Sequence, residues 1–140
     1  MDNCVFCKIV KGDIKAANVY EDKDVVAFLD ISPAGKNGGH TLVLPKKHYE
    51  IITDIPDKEL ASLAKAVKKV SAALLKLSEG VNVLQNNKKA AGQYVMHAHF
   101  HIIPRHENDG ITIEKWAPHE YAPGEIEEMQ GKIKTLLNEY

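Results

Sequence analysis

Nothing in this 140-residue chain forms an apolar run of the roughly 20 residues a bilayer span requires, and the first residues lack the apolar h-region of a secretory leader. These absences predict a cytoplasmic protein with no membrane partner. An excess of one charge is also lacking: 18 basic and 19 acidic residues leave a net charge of −1 with histidine neutral. A nucleic-acid binder needs a basic excess to release counterions from phosphates, so that class is set aside. Two cysteines are too few for a disulfide framework, and in a cytosolic chain they more often serve as metal ligands or free thiols. No repeat, low-complexity tract or linker divides the sequence, so residues 1–140 are expected to form one domain able to bury its own core.

The pattern of what is present predicts an α+β fold. Two short strands, Asn18–Glu21 and Val25–Asp30, flank the polar turn Glu21-Asp22-Lys23-Asp24. Pro33 to Gly39 reads as a loop, and strand character resumes over His40–Leu44 until Pro45. The longest helix is predicted from Asp57 to Ser78, preceded by Pro56 and stopped by Gly80. Leu60, Leu63, Ala64, Val67, Val70, Leu74 and Leu77 carry its apolar side. Val81–Gln85 and Ala98–Ile103 are the remaining strands. Gly124 to Tyr140 is the expected C-terminal helix, with Ile126, Met129, Ile133, Leu136 and Leu137 on its apolar face. Strands, one long helix and then further strands imply an antiparallel sheet carrying helices on one face.

Histidine is what the chain has in excess, seven in all, and three fall in Met96-His97-Ala98-His99-Phe100-His101-Ile102-Ile103. On a strand, alternate side chains share a face, so His97, His99 and His101 would stand about 7 Å apart with Ala98, Phe100 and Ile102 turned into the core. A row of imidazoles can hold a metal, or supply a nucleophile and a proton donor near neutral pH. There is no Gly-x-x-x-x-Gly-Lys-Ser/Thr loop and no compact carboxylate set for magnesium. Cys4-Val5-Phe6-Cys7 has the two-residue gap of a zinc-ligand pair, with two free thiols as the alternative. A thioredoxin-like redox pair would need a β-α-β setting, which is missing.

The run from His97 to Ile103 resembles the signature of the histidine-triad family. Val26–Pro33, Gly39–His48, Gln85-Asn86-Asn87 and Ala91-Gly92-Gln93 match its other blocks in order, so the resemblance covers nearly the whole chain. It implies an α+β sheet fold, commonly dimeric, that binds a purine nucleotide or nucleotide conjugate and cleaves at the α-phosphorus. On that resemblance His99 is the nucleophile and His101 a donor to a phosphate oxygen. Gln93 would stabilise developing charge, and His40 would support the triad. Asp30 would accept the ribose hydroxyls, Phe28 and Ile31 would bracket the base, and Asn86 would bond around ribose and phosphate. It also implies a structural Zn²⁺, one per chain, held by Cys4, Cys7, His48 and His97.

Two features depart from the common family pattern. The loop between Asp30 and His40 is about two residues longer, and Tyr94 stands where many members carry a small hydroxyl residue that reaches the leaving group. His106 and His119 match nothing and are expected to be exposed bystanders. Two rival functions remain open at this stage: a nucleotide-binding module with little turnover, and a hydrolase whose triad binds a catalytic metal. A homodimer is expected from the width of the apolar stripe on the long helix once Ala66 and Ala73 are included. Trp116 is a candidate to reach the partner's pocket.

Overall fold

Turn chemistry accounts for the first hairpin. Strands β1 (Asn18–Glu21) and β2 (Val25–Leu29) pair antiparallel around Asp22, whose carboxylate accepts the N–H groups of Asp24 and Val25 at 2.9 and 2.8 Å. Strands β3 (Thr41–Pro45), β4 (Gly80–Gln85) and β5 (Phe100–Arg105) complete a five-stranded antiparallel sheet in the order β1-β2-β3-β5-β4. The computed structural model describes residues 3–113 and 115–139.

The apolar runs of β2 and β3 are buried on both faces, because alternate residues feed two separate clusters. Val25, Ala27, Val43 and Ile102 pack against Leu63, Ala66, Val70 and Leu74 of helix α2 (Asp57–Leu74). Leu63 and Ile102 are fully buried at that seam, and truncating either to alanine should cost roughly 2–5 kcal/mol. Val26, Phe28, Leu42 and Leu44 point the other way and meet Phe6 of helix α1 (Val5–Lys11). Helices therefore lie on both faces of the sheet, not on one as expected. At seven residues α1 shows barely one repeat of a helical period. Its ends are nonetheless marked: the Cys4 sulfur accepts the Cys7 N–H at 3.4 Å, and Gly12 turns left-handed at φ 87°.

The long helix stops at Leu74, four residues before the expected end. Ser78 Oγ donates to the Leu74 carbonyl at 2.7 Å as the chain turns into β4, and Leu77 is left 76% exposed. Ala66 of that helix is buried and Ala73 is exposed. β5 begins at Phe100, two residues later than predicted, so His97 and His99 precede the strand. The Ala98 N–H donates instead to the Tyr49 carbonyl at 2.7 Å, which bends the chain there. Helix α3 spans Glu125–Leu137 after a left-handed Gly124, and Tyr140 lies outside the described residues. None of its residues is buried, and Ile126, Met129, Ile133, Leu136 and Leu137 face outward. Trp116 is likewise exposed, as is His119, whereas His106 is half-buried with Nδ1 3.6 Å from Glu79. Among the described residues no helix is long and apolar enough to cross a membrane.

Candidate active site

Four histidines around the sheet's α1-side face, His40, His97, His99 and His101, have their protons placed by fixed partners. Gly39 delivers the first of them: its φ of +85° suits glycine, and a Cβ there would sit 3.1 Å from Pro104 Cγ. The Asp30 N–H then closes the loop onto the His40 carbonyl at 2.9 Å. Within that loop the Ala34 N–H donates to His40 Nδ1 at 2.9 Å. A nitrogen that accepts carries no proton, so neutral His40 holds its hydrogen on Nε2. That hydrogen points at His101 Nδ1, 2.9 Å away, which leaves the His101 proton on Nε2.

The other two triad members are set by carbonyls. His99 Nδ1–H donates to the His97 carbonyl at 2.7 Å, so the lone pair of His99 is on Nε2. His97 Nε2–H donates to the Pro45 carbonyl at 2.8 Å, so its lone pair is on Nδ1. All four rings are held neutral, chiefly by burial. His97 and His101 are pushed down to about 4, while His40 and His99 are lowered despite the pull of Asp30.

The three triad histidines do not form one row. The rings of His99 and His101 lie 4.8 Å apart, and His101 lies 5.1 Å from His40. His97 turns away into a second group with Cys4, Cys7 and His48, whose ligand atoms all lie within 4.8 Å of one another. Its Nδ1 is 3.5 Å from Cys4 Sγ and 3.6 Å from Cys7 Sγ, and His48 Nδ1 is 3.4 Å from Cys7 Sγ. A tetrahedral zinc with bonds near 2.3 Å to sulfur and 2.0 Å to nitrogen puts such atoms roughly 3.5 Å apart. The Pro45 bond supplies the backing that a metal-bound imidazole needs, and burial beside Cys4 pushes the Cys7 thiol up. This donor set fits zinc.

Asp30, His40 and His101 also come together, with His40 Nε2 3.7 Å from Asp30 Oδ2. There the Ala34 N–H forces a proton onto the atom a metal would need as a lone pair. That trio therefore does not offer three lone pairs to one ion. With His97 committed elsewhere, a catalytic metal shared by all three triad histidines has no geometric basis.

Asp30, His40, His99 and His101 open into a cavity of about 470 Å³, which Phe28, Ile31 and Asn86 also line. Asp30 keeps Oδ2 toward it, while Oδ1 accepts the Ser32 N–H at 2.8 Å. Phe28 is buried under the floor, and Ile31 stands 96% exposed at the rim. Asn86 is half-buried, beside a left-handed Gly92 at φ +91°. A roomier cavity of about 810 Å³ lies around Arg105 and Asp109, away from every triad histidine.

Gln93 is placed differently from the expectation. It is buried, does not line this cavity, and donates from Nε2 to the Glu50 and Val95 carbonyls at 2.7 and 3.1 Å. Its Oε1 accepts the Lys88 N–H at 2.6 Å. Buried carbonyls take available donors first, so no amide hydrogen is left for a phosphoryl oxygen. Phe6 was missed by sequence reasoning. It packs edge-on against His99 at 5.1 Å, His97 at 5.9 Å and Phe28 at 5.5 Å. The spacing of Phe6, Ile9 and Val10 before Gly12 is the signal that could have found it.

Residues 11–108 match the HIT domain family. The chain is 44% identical over 137 residues to an adenosine 5′-monophosphoramidase of Schizosaccharomyces pombe, covering 94% of this chain and 99% of that one. A histidine triad nucleotide-binding protein from Candida albicans superposes with a TM-score of 0.86 at 35% identity, over 98% of this chain and 99% of that chain. A Zn-bound histidine triad family protein from Mycobacterium smegmatis superposes with a TM-score of 0.74 at 37% identity, over 84% and 85% of the two chains.

Proposed function

The chain belongs to the histidine-triad family, on its nucleotide-binding branch, and from that premise we propose that it cleaves purine nucleoside-phosphate conjugates at the α-phosphorus through a nucleotidyl intermediate on His99. The observation that carries the reading is the proton order: a lone pair on His99 Nε2 beside a hydrogen on His101 Nε2. The ribose hydroxyls bond to Asp30, Asn86 reaches the ribose–phosphate, and the base lies over Phe28 and Ile31. His99 Nε2 attacks phosphorus as the bond to the leaving group breaks, and the leaving atom takes its proton from solvent at the mouth. His101 Nε2–H bonds to the phosphoryl oxygen as charge grows there. Water then forms the new P–O bond, the electron pair of the P–N bond returns to Nε2, and the water's proton goes to solvent. Gln93 acts on this chemistry only by holding the backbone around it.

Cys4, Cys7, His48 and His97 would hold a zinc ion. When bound it supplies no chemistry to the reaction, serving as a tether between α1 and the segment before β5. Support comes from the tetrahedral spacing and the Zn-bound relative. Two copies of the chain associate on this reading, which would cover the outward apolar residues of α3 and the free edge of β4.

The test is covalent trapping. Substrate labelled at the α-phosphate and quenched in base should leave label on His99. His99→Asn should lose roughly 10⁴-fold or more in turnover while keeping nucleotide affinity. Near wild-type turnover by that variant would sink the mechanism in favour of direct water attack.

A further inference from the structure

We propose that Ile111 is a positioning residue for the proton order of the site, acting through the loop that ends on His40; this rests on the reaction proposed above. Residues 31–39 join β2 to β3 and are largely exposed, with Gly35, Gly38 and Gly39 all left-handed. Such a stretch has much backbone freedom to lose when it is ordered. The Asp30 N–H and the Ala34 N–H both bond to His40, on its carbonyl and its Nδ1. These bonds close the loop onto its own end. Its middle, on which the position of the Ala34 N–H depends, needs support from elsewhere in the fold.

Ile111, beyond β5, supplies it. A Cβ built on Gly35 would come within 2.9 Å of Ile111 Cδ1 and 3.1 Å of its Cγ1, so this side chain rests directly on the Gly35 backbone. Gly35 is the neighbour of the residue whose N–H holds His40 Nδ1.

Ile111 is in turn clamped to the sheet. Its N–H donates to Asp109 Oδ1 at 3.0 Å, and its carbonyl accepts from Arg105 Nη2 at 2.8 Å. Arg105, the last residue of β5, donates from Nε and Nη2 to the two Asp109 oxygens at 2.8 and 3.2 Å. Its Nη1 donates to Asn82 Oδ1 on β4 at 2.6 Å. A guanidinium fork with this many matched acceptors has little freedom left, so the rigidity of β4 and β5 is passed to Ile111. Asn82, Arg105, Asp109 and Ile111 do not line the nucleotide cavity, so their influence on it runs through the backbone they hold. Two residues further on, Ile113 does line it.

Removal of the Ile111 side chain therefore releases the Ala34 N–H from His40 Nδ1. His40 is then free to carry its proton on Nδ1, and the His101 proton follows from Nε2 to Nδ1, away from the phosphoryl oxygen.

The test reads proton position directly. Two-bond ¹H–¹⁵N spectra of ¹⁵N-histidine-labelled protein should show His40 and His101 both protonated on Nε2 in the wild type. Ile111→Ala should move both toward the Nδ1–H form. Ile111→Val removes Cδ1 alone, a truncation the fold tolerates, and should move the same signals less. Turnover of an adenosine phosphoramidate by Ile111→Ala should fall about 10-fold in kcat with KM little changed, part of the 10²–10³-fold that complete loss of one such donor costs. His40→Gln has no acceptor for the Ala34 N–H, so adding Ile111→Ala to it should cost less than about twofold more. Unaltered His40 signals in both Ile111 variants would overturn the proposal, as would a loss in the His40→Gln background equal to that in the wild type. Displaced His40 signals in a protein without turnover would support the role of Ile111 and refute the reaction.

Discussion

His40 makes two bonds that different substitutions separate. Its Nδ1 accepts the Ala34 N–H and its Nε2 donates to His101, each at 2.9 Å. Glutamine places its terminal nitrogen near the position of Nε2, so His40→Gln keeps the donor to His101 and loses the acceptor for Ala34. His40→Leu loses both. The Ala34 N–H left unpaired should cost each variant about 1–3 kcal/mol, toward the low end because Ala34 is only half-buried. The rates should diverge. Without a donor opposite Nδ1, His101 is free to carry its proton there, and the donor to the phosphoryl oxygen disappears. Loss of one such donor costs about 10²–10³-fold in kcat, or roughly 2.7–4 kcal/mol. His40→Leu should therefore fall by that factor with KM little changed, because the bond strengthens only as charge develops. His40→Gln should stay within about 10-fold of wild type. The assay is steady-state turnover of an adenosine phosphoramidate beside denaturant melts of all three proteins. If His40→Leu turns over within threefold of wild type, His101 is not oriented through His40 and the derived proton order is wrong.

Other outcomes follow from single features. Purified protein should contain about one zinc per chain, and His97→Ala should lower both metal content and melting temperature; metal-free protein with an unchanged melt would remove the assignment. Lys88 sits at φ 73°, ψ 163°, a region that is essentially glycine's. Lys88→Gly keeps the N–H that bonds Gln93, so it should stabilise by about 1 kcal/mol after the entropy cost of glycine, and a loss in denaturant melts would contradict the strain. The His101 ring takes its proton only near 4 when folded, against an ordinary value of 6.5 in the unfolded chain. Between those values the unfolded state binds more protons, so stability should fall as pH drops from about 6.5 to about 4, by at most about 1.4 kcal/mol per pH unit from this group. Urea midpoints that stay flat across that window would rule it out. Light scattering at micromolar concentration should give twice the chain mass, and a monomer would end the dimer proposal.

Sequence alone determined what depends on neighbours in the chain. The single-residue spacing of His97, His99 and His101, the blocks around Asp30, His40 and Gln93, and the helical period from Leu60 to Leu74 are local patterns. They placed the family, the α+β class, the long helix and the residues facing the cavity. Helix α1 escaped because seven residues hold barely two turns, and Phe6 escaped with it. Tertiary structure alone decided which nitrogen of each histidine carries the proton. That depends on the group set opposite it: Pro45 for His97, 52 residues away, Ala34 for His40, and His40 for His101, 61 residues away. It also turned one triad histidine out of the row and withdrew Gln93 from the role its motif implied. The bend at Ala98 turns His97 into the cysteine pair, and three backbone groups claim the amide of Gln93. A motif states which side chains are available, but a buried polar atom goes to whichever unpaired group the folded chain brings within reach, because leaving either one unbonded costs about 1–3 kcal/mol.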